Sequence, residues 1–426
     1  MSALPKEALR RGWCPSTLRP METGDGWLVR LHPPGARLTP AQLRRIAELA
    51  TEHGNGLIEI SARANLQIRG VTAESHPKLV ERLLAEQLVD EHEGDGPQRV
   101  TLVSPLAGRD STGLIDAAVL AAQIEHRARN VSGLPAKFGI VVDDGGAQAL
   151  DGFASDIRLL GIGAGRVALC LGDRLWLGPI PETDAAAAVA AILPGFAALR
   201  AEAPDQIRRL RDLSPAALAG LSTLPVTTAP PPRMPARRAG LFALQGDRFA
   251  ALIGLPFGRC DAATLERLGA VQDKADIRLS PWRGLAFRDL GRSEAEGLLA
   301  LADDLGQITR DDDPRLSVQA CAGSPACSRA EAPTMTDAAM LAEAAADLLA
   351  QGATLHVSGC VKACAHPAAA DLTLVGQDGR YDVVLGGTTR DKPVATLDLS
   401  ALLTRLQPGH DIHARLKAAR STGSQG

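Results

Sequence analysis

The sequence predicts an α+β protein that is internally duplicated, with two ferredoxin-like half-domains and two larger α/β sandwich domains. Three observations carry that expectation. A Pro- and Arg-rich stretch with no apolar period, TLPVTTAPPPRMPARRAG at residues 223–240, divides the 426-residue chain near its middle. The segments GDGWLVRLHPPGARLTPAQLRRIAELATEHGNGLIEISARANLQIRGV and GDRFAALIGLPFGRCDAATLERLGAVQDKADIRLSPWRGLAFRDL lie on either side of it. Both read strand, loop, helix, strand, tight turn, strand. Each continues into a further helix, about 75–89 and about 292–305, and then into a longer region of alternating apolar segments.

The elements follow in order. Ile58-Glu59-Ile60-Ser61 falls opposite Ile277-Arg278-Leu279-Ser280, and Leu66 and Ile68 fall opposite Leu285 and Phe287. The first helix has Thr39 as N-cap, Pro40 at its first position, and Leu43, Ile46, Ala47 and Ala50 on one face, and it stops at Gly54. Its partner starts at Asp261 and turns Leu265 and Leu268 inward. Residues 100–181 hold the strands RVTLVSP, KFGIVVDD, DIRLLGI, GRVALCLG and DRLWLGPI, while 314–376 hold RLSVQAC, a helix about 335–350, ATLHVSG and DLTLVG. The resulting domains are 10–95 and 241–308 for the two repeats, 96–222 and 309–410 for the larger domains, 223–240 for the linker and 411–426 for a polar tail. Such a duplication implies a pseudo-two-fold with a ligand at the junction of the halves.

Composition limits the function. A net charge of −3 gives no electrostatic footprint for nucleic acid or an anionic membrane, and 3% aromatic residues make no base-stacking platform. The N-terminus lacks an apolar signal-peptide core and no run of about 18 apolar residues appears, so neither secretion nor a membrane span is expected. The stretch AAAAVAAILPGFAAL reads as a buried helix ending at Pro194. Seven cysteines, with Cys14, Cys170 and Cys260 far apart, indicate a reducing, cytoplasmic setting rather than a disulfide framework.

The other four cysteines carry the chemistry. Cys321 and Cys327 in CAGSPAC, then Cys360 and Cys364 in SGCVKAC, give Cys-x5-Cys followed by Cys-x3-Cys. Two close thiolate pairs suit a 4Fe-4S cluster, in which each iron takes one sulfur. Gly323 and Gly359 let backbone approach the sulfurs, and Pro325 and Pro367 stiffen the flanks. Zinc and a pair of disulfides are the competing readings, but neither spacing is the usual zinc one.

The cysteine pattern and the duplicated half together resemble the sirohaem nitrite and sulfite reductase superfamily, and within it the precorrin-3B synthases of aerobic cobalamin synthesis. RRGWCPSTLRPMETGDGWLVRL, HGNGLIEISARANLQIRG, LPAKFGIVVDDGG and the two cysteine loops carry the resemblance, from about residue 10 to about 410. It implies a nitrite/sulfite reductase-like fold. It also implies three carboxylate clamps for a tetrapyrrole: Arg63 in SARANLQ, Arg129 in ARNV and Lys137 in LPAKF. Guanidinium forks and a lysine point charge suit a macrocycle carrying up to eight carboxylates. Taken singly, each of these residues also reads as a solvated surface charge.

Where the reductases carry a second lysine, two residues after Lys137, this chain has Gly139. Where they have Gln after the turn arginine, it has Ala64. Loss of the oxyanion-binding lysine points to a tetrapyrrole held as substrate. The implied reaction is a monooxygenation of precorrin-3A by dioxygen, with hydroxylation at macrocycle carbon 20 and γ-lactone formation. NADH is the ultimate reductant, a separate reductase or ferredoxin the electron donor, and a mononuclear non-haem iron an additional cofactor. The alternative is a sirohaem-dependent assimilatory nitrite or sulfite reductase in which Cys364 bridges cluster and haem. A non-catalytic iron–sulfur electron carrier is a third reading.

Several other features carry less. GIGAGR at 161–166 has dinucleotide-loop glycines, but strands flank it on both sides and no helix follows, so it reads as a β-turn. His366, His32 and His53 read as loop or capping residues, with no three-ligand iron motif among the nine histidines. Cys14 reads as an inert thiol.

Overall fold

The computed structural model describes residues 14–91, 96–271 and 273–408; the expected tail at 411–426 lies outside them. The first repeat runs β1 (Met21–Thr23), β2 (Gly26–Leu31), β3 (Arg37–Leu38), α1 (Pro40–His53), β4 (Leu57–Ile60), β5 (Leu66–Val71) and α2 (Ser75–Ala85). The first larger domain follows with β6 (Thr101–Val103), α3 (Ala117–Ala128), β7 (Ile140–Asp143), β8 (Ile157–Gly163), β9 (Arg166–Leu171), β10 (Leu175–Pro181), α4 (Glu182–Glu202) and α5 (Pro215–Ala219). The second repeat runs β11 (Gly240–Ala243), β12 (Phe249–Gly254), β13 (Arg259–Asp261), α6 (Ala262–Ala270), β14 (Asp276–Ser280), β15 (Gly284–Leu290) and α7 (Arg292–Asp304). The last domain holds β16 (Val318–Ala320), α8 (Thr334–Ala344), α9 (Ala346–Ala350), β17 (Leu355–Ser358), β18 (Ala370–Gln377), β19 (Arg380–Gly387), β20 (Ala395–Leu397) and α10 (Leu399–Leu406).

The duplication extends to backbone detail. Left-handed residues recur at matching places: Gly35 and Ala36 with Phe257 and Gly258, Ala64 with Arg283, and Gly70 with Asp289. A bulge interrupts β2–β5 between Trp27 and Val29, and its twin interrupts β12–β15 between Phe249 and Ala251. The two larger sheets, β6-β7-β8-β9-β10 and β16-β17-β18-β19-β20, share one pattern of two parallel then two antiparallel pairings.

The repeats are not separate bodies. β13 pairs with β4, and β3 pairs with β14, so each half lends an edge strand to the other's sheet. One continuous core then runs through both, from Leu43, Ile46 and Ile58 to Leu265, Ile277 and Leu298. α1 forms as expected, with a Thr39–Gln42 capping box and the Gly54 N–H bonded to the Ala50 carbonyl.

Two expectations are corrected. The helix expected to end at Pro194 continues to Glu202. Pro194 is exposed, so the Ala190 carbonyl that loses its helical partner there faces the wetter side of the helix. α4 is long and apolar enough by length and composition to cross a membrane, but Val189, Ile192, Leu193 and Phe196 are buried in the core of the first larger domain. The single helix expected about 335–350 is two, because the chain leaves helical geometry at Ala345. The linker is extended but pinned. Arg233 pairs with Asp143 and Asp151, Thr227 N–H donates to the Trp176 carbonyl at 2.9 Å, and the Arg238 guanidinium donates to the Leu316 carbonyl at 2.7 Å. GIGAGR is the β8–β9 hairpin, turning at Ala164–Gly165.

Candidate functional site

The cysteines meet because β16 and β17 are parallel neighbours. Their carboxyl ends lie side by side, so Cys321, just after β16, faces Gly359 and Cys360, just after β17. The Gly359 N–H donates to the Cys321 sulfur at 3.1 Å. A Cβ at Gly359 would stand 2.6 Å from Ala330 Cβ, so only glycine brings the backbone this close. The Glu331 N–H bonds the Gly359 carbonyl at 3.0 Å, and Thr334 Oγ1 donates to the Cys321 carbonyl at 2.7 Å. Burial pushes the Cys360 thiol up, with Cys321 and Cys327 near enough to add to the effect and Lys362 opposing it. Cys364 is exposed, and none of the seven cysteines is joined in a disulfide. Among the described residues no three His, Cys, Asp or Glu side chains close around a single metal ion.

The Cys321–Cys327 loop docks on the sheet of the first repeat. Gly24 N–H and Arg69 Nη2 both donate to the Ala326 carbonyl, at 3.2 and 2.8 Å, and Asp25 holds Arg69 in place. One face of that sheet packs Ile58, Ile60 and Ile68 into the core. The other face bears a polar ladder across four strands. Arg30 donates to Gln67 Oε1 at 2.7 Å, Gln67 Nε2 donates to Glu59 at 2.9 Å, and Arg259 donates to Glu59 at 2.6 Å. The opposite half has the same docking, with Arg288 donating to the Pro105 and Ala107 carbonyls. There, however, Leu252 and Ala286 replace Arg30 and Gln67, and Leu106, Leu244 and Ala250 pack over them. The matching face keeps Arg37 and Arg278, both paired with Asp276, but its centre is apolar, while the first face keeps a polar centre beside the Cys321–Cys327 loop.

At the edge of the charged face lies the Ser61–Asn65 turn. Arg63 donates to the Lys137 carbonyl at 3.0 Å and lies against the Phe138 carbonyl. The structure therefore brings Arg63 and the exposed Lys137 together. A Cβ on Gly139 would sit 3.3 Å from both terminal nitrogens of Arg63, so the guanidinium packs over the site where the reductases carry their second lysine. Burial lowers the Arg63 pKa, and Arg209 lowers it further. Arg129, at the end of α3, is exposed and paired with Asp90.

Arg99 braces the turn from beneath. It donates to the Arg63 and Ala64 carbonyls and to Asn65 Oδ1 at 2.6–2.8 Å, and burial pushes its pKa down to about 10. Cys14 lies beside the Arg30 guanidinium. His32 is buried 2.7 Å from Glu91, His53 is buried at the end of α1, and the His366 ring packs on His356. Sequence reasoning missed Arg30, Gln67, Glu59, Arg259 and Arg99. The strand alternation of LIEI and LQIR, polar opposite Ile58, Ile60 and Ile68, was the available signal for two of them. Surface clefts of about 530 Å³ beside Asp303 and Arg310 and of about 380 Å³ beside Arg158 and Trp176 include none of these residues.

The model of the nitrite/sulfite reductase ferredoxin-like half domain matches residues 19–86. The solved structure of Mycobacterium tuberculosis NirA protein superposes with a TM-score of 0.68 at 22% identity, covering 93% of this chain and 84% of that one. The fold is thus that of the nitrite and sulfite reductases. A sulfite reductase [ferredoxin] of M. tuberculosis is 25% identical over 85% of this chain and 73% of its own length. A precorrin-3B synthase from Sinorhizobium sp. is 33% identical over 94% of this chain and 88% of its own length, and the chain belongs to the precorrin-3B synthase family.

Proposed function

We propose that this chain is an oxidoreductase of cobalamin biosynthesis that hydroxylates precorrin-3A with dioxygen at macrocycle carbon 20, the ring-A acetate closing as a γ-lactone to give precorrin-3B. The observation that carries the reading is the meeting of a cysteine loop with a sheet face that bears Arg30, Gln67, Glu59 and Arg259, where the centre of the matching face is apolar, Leu252 and Ala286 lying under Leu106 and Leu244. Arg63 and Lys137 hold carboxylates of the macrocycle. Arg129 contributes less, because Asp90 already answers its charge. Arg99 keeps the Arg63 turn in shape while the ligand exchanges.

Cys321, Cys327, Cys360 and Cys364 hold a 4Fe-4S cluster, and the Gly359 N–H supports the Cys321 sulfur. Bound there, the cluster supplies electrons singly, which removes the spin barrier between dioxygen and a closed-shell macrocycle. One oxygen atom enters the product and the other leaves as water, with two electrons from NADH passed through a separate reductase or ferredoxin. A mononuclear iron finds no three-ligand set among the described residues. The sirohaem reductase reading is weaker, because Arg63 packs over Gly139 where an oxyanion-binding lysine would stand.

The test is anaerobic purification, iron, sulfide and optical analysis, then turnover of precorrin-3A under ¹⁸O₂ with an NADH-driven donor. The expected result is an iron–sulfur spectrum without sirohaem bands and a product carrying one labelled oxygen. Stoichiometric sirohaem, or an unlabelled product, overturns the proposal.

A further inference from the structure

The second repeat has its own version of the Arg63 turn. Ser280–Gly284 matches Ser61–Asn65, the Arg283 N–H bonds the Ser280 carbonyl as the Ala64 N–H bonds that of Ser61, and both residues are left-handed, with φ of 61° and 52°. Where the first repeat places alanine, the second places Arg283. An arginine in that conformation is intrinsically unfavourable, so its side chain is there for a reason other than the turn.

Its stem lies over Gly258, with Cδ 3.0 Å from where a Cβ would be. Its Nη2 donates to the Ala365 carbonyl at 3.0 Å, one residue beyond Cys364. No carboxylate pairs with it among the described residues. Glu59, the carboxylate within electrostatic reach, is already held by Arg69 and Arg259. Burial lowers the Arg283 pKa, as expected of a guanidinium taken partly out of water without an anion. The polar ladder Arg30–Gln67–Glu59–Arg259 ends at Arg259, next to the Gly258 that the stem of this arginine covers.

We infer that Arg283 binds a carboxylate arm of the tetrapyrrole from the second half of the molecule, and through Ala365 couples that contact to the loop of Cys364. The inference rests on the tetrapyrrole reading above. It adds an anchor beside the cysteine loop to the clamps on the first half, so that both halves hold the macrocycle.

The probe is uroporphyrin III, which carries eight carboxylates, titrated by fluorescence into the cluster-loaded full chain. Arg283→Gln keeps a donor for the Ala365 carbonyl and removes the charge. Binding roughly tenfold weaker than the parent, with a shallower salt dependence and unchanged iron content and melting temperature, is expected. Arg283→Lys should recover most of the affinity. Parent-like binding by Arg283→Gln while Arg63→Gln is impaired overturns this inference alone. No binding by the parent, or no effect of Arg63→Gln, overturns the tetrapyrrole reading and this inference with it. If Arg283→Gln loses iron or melts lower, Arg283→Lys decides: recovered affinity supports the anion role, and affinity still lost with iron retained overturns it.

Discussion

Asp144 follows β7 with Asp143 at its side and Asp110 nearby, and it is almost wholly buried. Burial pushes its pKa up from 3.8 to about 6, the two neighbouring carboxylates push the same way, and the Gly146 N–H bond and Arg233 only partly compensate. For a raised acid, the stabilisation is complete below the unfolded pKa near 3.8 and is lost as pH rises through about 6. At neutral pH the ionised Asp144 therefore costs about 3 kcal/mol. Asp144→Asn should be more stable than the parent by about that amount at pH 7 and indistinguishable from it at about pH 3, as urea melts across that range would show. An equal difference at both ends would mean the carboxylate is not strained by its surroundings. Site residues differ in how far the sequence exposes them. The cysteines were legible as candidates because each pair is local, and the parallel β16 and β17 bring Cys321 beside Gly359 and Cys360. Arg63 and Lys137 were legible only through resemblance. Glu59 and Arg259 were not, because they stand 200 residues apart and meet only through a strand exchanged between the halves.

The turn at Ser61–Asn65 shows how an element can depend on a residue outside it. Its own bonds are Ser61 N–H to the Asn65 carbonyl and Ala64 N–H to the Ser61 carbonyl, both at 2.9 Å, and Arg63 and Asn65 N–H to Ser61 Oγ at 3.2–3.3 Å. Arg99 supplies the rest from the start of the next domain, at the expense of burying a cation whose Nη1 has no partner. Removing it exchanges lost bonds for a relieved desolvation cost, so global stability should change by less than about 1 kcal/mol in Arg99→Met. Local opening should change more. The Ala64 and Asn65 amides are expected to exchange with solvent at least about tenfold faster, and those of α1 at the parental rate. Unaltered exchange at Ala64 would mean the turn holds itself. Among the elements, α1 and α6 were readable because their caps and apolar faces are local properties. β3 and β13 were not, because strands of two and three residues exist only through their partners in the other half. α4 was misjudged at Pro194 because a proline on the exposed side of a helix breaks one hydrogen bond without breaking the packing.

At the scale of the whole molecule, principal interfaces cross between the halves. β3 and β13 exchange sheets, α1 packs on α6, and Arg69 fastens the last domain to the first sheet while Arg288 fastens the first larger domain to the second. Neither half is a domain in the folding sense. The sheet of each repeat lacks its fifth strand without the other half, and separation would bare apolar side chains such as Leu38, Ile46, Leu265 and Ile277, at about 1.5–3 kcal/mol each. The linker contributes less to that association than the shared core, since what pins it are the Arg233 pairs, one to the buried Asp143 and one to Asp151, and a few carbonyl contacts. A chain cut after Pro230 should therefore behave as one protein in two pieces. Either half expressed alone should be aggregated or without a cooperative melt. The two co-expressed halves should copurify in equal amounts and melt in a single transition, somewhat below the parent because association now depends on concentration. A sharp, independent melt from either half alone would show that the exchanged strands and the shared core are dispensable. The charged junction beside the cysteines would then belong to two docked domains rather than to one fold.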